Sequence, residues 1–350
     1  MIIKIGKNKI HKNGKVYFIA DIAANHDGDI SRAKKLIKLA AKAGANAVKF
    51  QHFKANTIVS EYGFRKSGKI SHQSKWKKSV YQIYDEASLN INWTKILSNE
   101  AKKNNIDFMT APYDINYVDE VYRFIKAYKI GSGDINWREI INKISKKKKP
   151  VIIATGASNF SEVKATVDLI SKKNKKIILM QCNTNYTYDE ANFNYINLEV
   201  LNTYKKKFKN KVILGLSDHT QGHSTVLGAV AMGARVIEKH FTDNNNRKGP
   251  DHYFSMNPKT WSEMVKETRR LENAIGNGKK IVEGNETKTS FIQRRGSYAA
   301  RNLNKNEIIK IDDIIFLRPY FKGSISPFTD KKTFGKAKKG INKGEFIFKK

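Results

Sequence analysis

Between residue 16 and about residue 245 the chain repeats one rhythm. A short apolar, β-rich run ends in polar or glycine residues, and an amphipathic stretch follows. The apolar runs cover 16–23, 47–51, 107–111, 127–131, 150–155, 176–181, 211–216 and 234–240. Each has the length and continuity of a buried strand in a parallel sheet. The stretches between them carry apolar residues at helical spacing. In 30–43, Leu36, Ile37, Leu39 and Ala40 fall on one side, and 93–104, 118–124 and 160–171 also read as helices. Eight strand–helix units predict a (β/α)8 TIM barrel of the α/β class, closed by a last helix over 258–274.

Two segments break the rhythm. Residues 54–85 are too many for an ordinary connection and read either as an insertion over the barrel mouth or as a mobile segment. From about Gln293 the helical spacing gives way to short strands with turns, at 296–299, 303–309 and 346–348. The composition shifts at Gly276-Asn277-Gly278-Lys279-Lys280. This predicts a barrel domain over 1–280 and a small β-rich domain over 281–350, with a linker at about 276–292. By size alone the second domain is marginal without a surface to dock on.

Composition narrows the function classes. With 350 residues and 40% hydrophobic content the chain can bury a full core, and no apolar run has the length of a membrane span. The start, Met1-Ile2-Ile3-Lys4-Ile5-Gly6-Lys7, lacks a secretory h-region, so a cytoplasmic protein is expected. The single cysteine, Cys182, excludes an intrachain disulfide and a thiolate cluster. The net charge of +34 raises nucleic-acid binding as a possibility. Yet the lysine clusters, such as Lys146-Lys147-Lys148-Lys149, fall at helix ends and in loops, with no aromatic-interleaved stripe. They read as solvated lysines with a general pull on anions, and no nucleic-acid or membrane partner is expected.

Barrel active sites lie at the C-terminal strand ends. There the sequence places Asp21, Asn25 and His26, then Lys49 and Gln51, Thr110, Lys129, Ser132 and Asp134, and Thr155. Asn183 to Tyr186, Ser217-Asp218-His219, Glu238-Lys239-His240 and Asp251 complete the set. Lysines in buried strands need anions, so Lys49 and Lys129 point to a phosphate or carboxylate in the mouth. The alternative is an internal ion pair with Asp21 or Asp134. His219 and His240 end neighbouring strands. With carboxylates nearby they point to a divalent metal, which could be manganese, cobalt, iron or zinc. His26 reads as a substrate contact or a third ligand, and Cys182 as a small buried filler.

The motifs, in their order, resemble the sialic acid (nonulosonic acid) synthase family. The segments that carry the likeness are Ala20-Asp21-Ile22-Ala23-Ala24-Asn25-His26-Asp27-Gly28, Val48-Lys49-Phe50-Gln51 and Tyr128-Lys129-Ile130-Gly131-Ser132-Gly133-Asp134. Ala154-Thr155-Gly156, Gly215-Leu216-Ser217-Asp218-His219-Thr220, Ile237-Glu238-Lys239-His240-Phe241-Thr242 and Gly249-Pro250-Asp251-His252 continue it. The resemblance implies condensation of phosphoenolpyruvate with an N-acylated mannosamine-type sugar. The products would be a nine-carbon 2-keto-3-deoxy acid and phosphate. It implies that His219 and His240 hold the metal, most often Mn2+, with Mg2+ or Co2+ as alternatives. Asp21 joins them as a catalytic residue. Lys49, Lys129, Ser132, Thr155 and Ser217 would bind the phosphate and carboxylate, Gln51, Tyr186 and Asp251 the sugar, and Thr110 would be a further substrate-binding residue. The tail resembles an SAF (antifreeze-like) domain that caps a partner's barrel in a domain-swapped homodimer, with Arg318 at the acyl group. Three departures touch the sugar side: Asp21 in place of glutamate, Thr187 in place of proline, and Tyr320-Phe321 after Arg318-Pro319 in place of glycine. Two other readings of the residues are a Schiff-base lysine aldolase or lyase, and a non-catalytic glycan- or nucleic-acid-binding protein.

Overall fold

The computed structural model describes residues 1–68, 70, 73–74 and 76–349. The chain divides into two compact units, Met1–Gly276 and Asn277–Lys350.

The first unit opens with a hairpin, β1 (Ile2–Ile5) and β2 (Asn8–His11), which turns at Gly6-Lys7. Gly6 has φ +53, and a Cβ there would stand 1.9 Å from Asp107 Oδ1, so glycine is required twice over. The hairpin was not read as structure from the sequence.

Eight parallel strands then close a barrel: β3 (Tyr17–Asp21), β4 (Ala47–His52), β5 (Asp107–Pro112), β6 (Tyr128–Ile130), β7 (Val151–Ala154), β8 (Ile177–Cys182), β9 (Ile213–Asp218) and β10 (Val236–His240). β10 pairs with β3 and completes the ring, as the eight-unit pattern predicts. Helices follow the pattern at Ile30–Lys42, Phe160–Ser171 and the closing Pro258–Ile275, but the one expected over 118–124 is a single turn, Tyr117–Glu120. The long connection after β4 forms the helices Ala55–Ile58, Glu61–Ser67 and Val80–Ala87. Lys69, Ser71, His72 and Lys75 of that connection lie outside the described residues.

Strand alternation sorts every side chain to one of two layers. Tyr17, Ile19, Ala47, Met109, Ile152, Ile178, Ile213 and Val236 point inward and fill the lower barrel, with Ile3, Ile5 and Ile10 of the hairpin beneath them. Phe18, Val48, Phe50, Phe108, Ile153, Leu214 and Ile237 point outward against the helices. The inward parity continues upward through Asp21, Lys49, Gln51, Lys129, Ser217, Glu238 and His240, so one periodicity builds the apolar floor and the polar mouth.

The second unit contains β11 (Gly296–Ala299), β12 (Ile308–Lys310), β13 (Ile314–Leu317) and β14 (Thr333–Lys336). β11 pairs with β13 and β12 with β14, both antiparallel, around Leu303, Ile309, Ile325 and Ile347. The expected strand at 346–348 is present only as isolated bridges at Phe346 and Phe348.

Candidate active site

The mouth of the barrel holds two buried ion pairs. Lys49 Nζ lies 2.6 Å from Asp21 Oδ2 and 3.8 Å from Glu238 Oε1. Lys129 Nζ lies 2.8 Å from the same Glu238 oxygen, which also accepts from Ser217 Oγ at 3.1 Å. Lys49 thus takes the internal pairing with Asp21, and Lys129 is paired as well, with Glu238 instead of Asp134. Burial pushes the Glu238 carboxyl up, but Lys129 and Lys49 outweigh it and hold the group down at about 2. Burial lifts Asp21 above the usual carboxylate range, against the pull of Lys49. Two cations and two carboxylates cancel, yet the ammonium groups keep donors to spare, since each carries three. Glu238 Oε2 is buried and has no hydrogen-bond partner among the described residues.

His219 and His240 stand beside this network with ring centroids 5.4 Å apart. His219 Nδ1 lies 2.8 Å from the carbonyl of Asn183. A carbonyl only accepts, so Nδ1 carries the proton and Nε2 keeps its lone pair. His240 Nδ1 is buried and has no partner among the described residues, and its Nε2 is 3.5 Å from Asp21 Oδ2. Burial, then the neighbouring His240, drives His219 down to about 3, and burial takes His240 down to about 4. Both imidazoles are therefore neutral at pH 7, the form that ligates a metal. Two neutral imidazoles with an unpartnered buried nitrogen suit a divalent cation whose other positions go to oxygen ligands. Among the described residues no group of three or more His, Cys, Asp and Glu side chains could hold a metal ion. His26 does not join the pair. It lies near Phe50 and Trp93, at centroid distances of 6.5 and 6.2 Å.

A cavity of about 430 Å³ opens above these groups. Gln51, Ser132, Asp134, Tyr186, His240 and Asp251 line its polar side, and Ile58, Trp76, Ile83 and Ala87 of the long connection form an apolar side. The Tyr186 ring is 4.4 Å from His219. Asp251 Oδ2 accepts from the Ala24 amide at 3.1 Å. Burial raises Asp134 to about 6. Packing around Ser132 is tight: a Cβ on Gly156 would stand 2.5 Å from Thr184 Cγ2 and 2.9 Å from Ser132 Oγ.

Thr110 and Thr155 depart from the expected placement. Both have the outward parity. Thr110 Oγ1 lies 2.7 Å from His52 Nδ1 and donates to the Phe50 carbonyl, and Thr155 Oγ1 accepts from the Tyr204 hydroxyl at 3.0 Å. Neither lines the cavity. Arg318 is an exposed residue of the second unit, directly after β13. Glu238 was noted in the sequence only as a nearby carboxylate, although it binds both lysines. Its spacing of two from His240 was the signal, since i and i+2 on a strand share a face.

The NeuB family profile matches residues 36–280. The chain belongs to the NeuB family. It is 36% identical to an N,N'-diacetyllegionaminic acid synthase of Campylobacter jejuni subsp. jejuni, over 95% of this chain and 99% of that protein. It is 31% identical to a pseudaminic acid synthase of the same species, over 95% of each. The crystal structure of the N-acetylneuraminic acid synthetase of Leptospira borgpetersenii serovar Hardjo-bovis, in complex with citrate, superposes with a TM-score of 0.72 at 29% identity. That match covers 83% of this chain and 95% of the other. Among the described residues of this NeuB-family chain, no helix is long and apolar enough to cross a membrane.

Proposed function

We propose that the protein condenses phosphoenolpyruvate with an N-acylated hexose of the mannosamine type. The products are a nine-carbon 2-keto-3-deoxy acid and phosphate. One observation above all supports this: two buried imidazoles stand 5.4 Å apart beside two lysine–carboxylate pairs in a single barrel mouth. A metal site and an anion site that close fit a reaction between an anionic donor and a carbonyl acceptor.

His219 and His240 would hold a divalent cation, Mn2+ first and Mg2+ or Co2+ as alternatives, which when bound would supply Lewis-acid polarisation of the open-chain aldehyde. Lys49 and Lys129 bind the phosphate and carboxylate of phosphoenolpyruvate, with Ser132 and Ser217 as neutral donors. Thr110 and Thr155 support this group from the outer layer. Gln51, Tyr186 and Asp251 orient the sugar. C3 of phosphoenolpyruvate attacks the aldehyde carbon, whose oxygen becomes an alkoxide. Positive charge develops at C2, water adds there, and the C2–O bond to phosphate breaks as the new C2 hydroxyl becomes the ketone. One water proton ends on the alkoxide by way of Asp21 and the other leaves with phosphate. Asp21, its carboxyl raised by burial, takes the proton of that water. Asp is shorter than Glu by one carbon, so this proton acceptor sits back from the mouth.

The second unit acts as an SAF domain in a domain-swapped homodimer, where Arg318 reaches the acyl group of the sugar bound in the partner's barrel. The enzyme works in the cytoplasm. A panel of N-acetylmannosamine and 2,4-diacetamido-trideoxy hexoses, incubated with phosphoenolpyruvate and Mn2+ and read by product mass, tests the reading. One sugar class should yield the keto acid and equimolar phosphate. Absence of a condensation product from every N-acylated hexose contradicts it.

A further inference from the structure

Directly behind the two histidines lies a third buried ion pair that the mechanism above does not use. Asp218 and Lys239 have the outward parity of β9 and β10, and their side chains are each 1% exposed. Lys239 Nζ lies 2.5 Å from Asp218 Oδ2 and donates to the Thr220 carbonyl at 2.8 Å. Asp218 is bonded further by the hydroxyl of Thr225, at 2.8 Å, and by that of Thr220, at 3.0 Å. Thr225 belongs to the helix Ser224–Ala231, so strand, strand and helix meet at one carboxylate.

Register gives the pair its meaning. The β9–β10 ladder ends at Lys239 opposite Asp218. His219, directly after the end of β9, and His240, the last residue of β10, follow one step beyond that last rung. Lys239 bonds on both sides of His219, to the side chain before it and to the carbonyl after it. It ties the backbone that carries one imidazole to the residue preceding the other. Stability alone does not require such a device, because an apolar pair of similar volume is often as stable as a buried ion pair.

We propose that Lys239 and Asp218 are positioning residues that set the separation and orientation of His219 and His240 for a divalent cation. The inference rests on the reading of those histidines as the metal ligands. Groups that orient metal ligands typically change affinity by about 10- to 100-fold when removed.

The test is Mn2+ binding to the full-length protein, followed by electron paramagnetic resonance of the free ion, with thermal melting alongside. The variants are Lys239→Met/Asp218→Leu, the milder Thr225→Val, and His219→Ala as control. The double variant is expected to melt within a few degrees of wild type, yet to bind Mn2+ about 10- to 100-fold more weakly. Thr225→Val, which removes one bond to Asp218, should weaken binding severalfold and covers the case in which the double variant fails to fold. Tight Mn2+ binding that is lost in His219→Ala but unchanged in the double variant and in Thr225→Val overturns the positioning role alone. Equal binding by wild type and His219→Ala overturns the metal assignment, and the positioning role with it.

Discussion

The floor and the mouth of the barrel are built by the same strands with the same alternation, and they differ in how well their polar groups are satisfied. At the floor, Ile3, Ile5 and Ile10 of the hairpin cap an apolar interior. The carboxylate there, Asp107, accepts from the Tyr17 hydroxyl at 2.8 Å and from Asn8 Nδ2 at 2.9 Å. At the mouth, four charges lie in one network, and Glu238 Oε2 and His240 Nδ1 are buried with no partner among the described residues. Unsatisfied buried polar atoms are costly and call for an explanation. Their position at the C-terminal end of the strands is where a barrel binds its ligands. The floor therefore serves stability and the mouth serves chemistry.

Substitutions can break this contrast. The largest effect is expected from His219→Ala. Loss of Lewis-acid polarisation, several kcal/mol at the transition state, should lower phosphate release by about a thousandfold while the melting temperature stays near that of wild type. A variant that melts early but turns over normally would reverse the assignment of mouth and floor. Ile5→Ala is the mirror test. Ile5 is fully buried beneath the barrel. Its truncation should cost about 3 kcal/mol in denaturant unfolding and leave kcat unchanged at low temperature.

Acid sharpens the comparison by separating the inner and outer faces of the mouth. His52 lies on the outer face, its ring nitrogens 2.7 Å from Thr110 Oγ1 and 2.8 Å from Thr94 Oγ1, and burial lowers it to about 3. Its folded value is depressed, so the unfolded chain binds the extra proton first. The stability it contributes is complete above about pH 6.5 and is lost as pH falls toward 3. At pH 5 the loss should be about 2 kcal/mol, and a His52→Gln variant should show a flatter pH dependence by equilibrium unfolding. The smallest effect is at the floor polar group. Asp107→Asn, which can keep a neutral acceptor for Tyr17, should cost about 1 kcal/mol with no change in KM.

The ring of eight strands was legible because each apolar run is short and is followed by helical spacing, and the mouth was legible because its residues cluster where the runs end. Three features were not read. The hairpin alternates Ile3, Ile5 and Ile10 across Gly6-Lys7, but four-residue strands outside the repeating rhythm carry little periodic signal. Thr110 and Thr155 lie near strand ends, and nearness to an end does not fix the face; only parity does. Lys239 was counted with Glu238 and His240 at the strand end, although its odd parity relative to them turns it to the outer face of the barrel, where a buried charge needs a partner. The sequence offered Asp21 as a partner for a lysine, but which lysine takes it, and that Lys129 turns to Glu238, depends on side-chain reach across strands, which spacing along one chain does not encode.

The central claim is that the mouth couples an anion site to a metal held by His219 and His240. The most direct measurement is phosphate release from phosphoenolpyruvate with an accepted N-acylated hexose, before and after exhaustive chelation and after return of Mn2+. The account predicts release only when the sugar is present, loss on chelation, and recovery with Mn2+ in wild type but not in His219→Ala. Release that persists without the sugar or survives complete metal removal would contradict it.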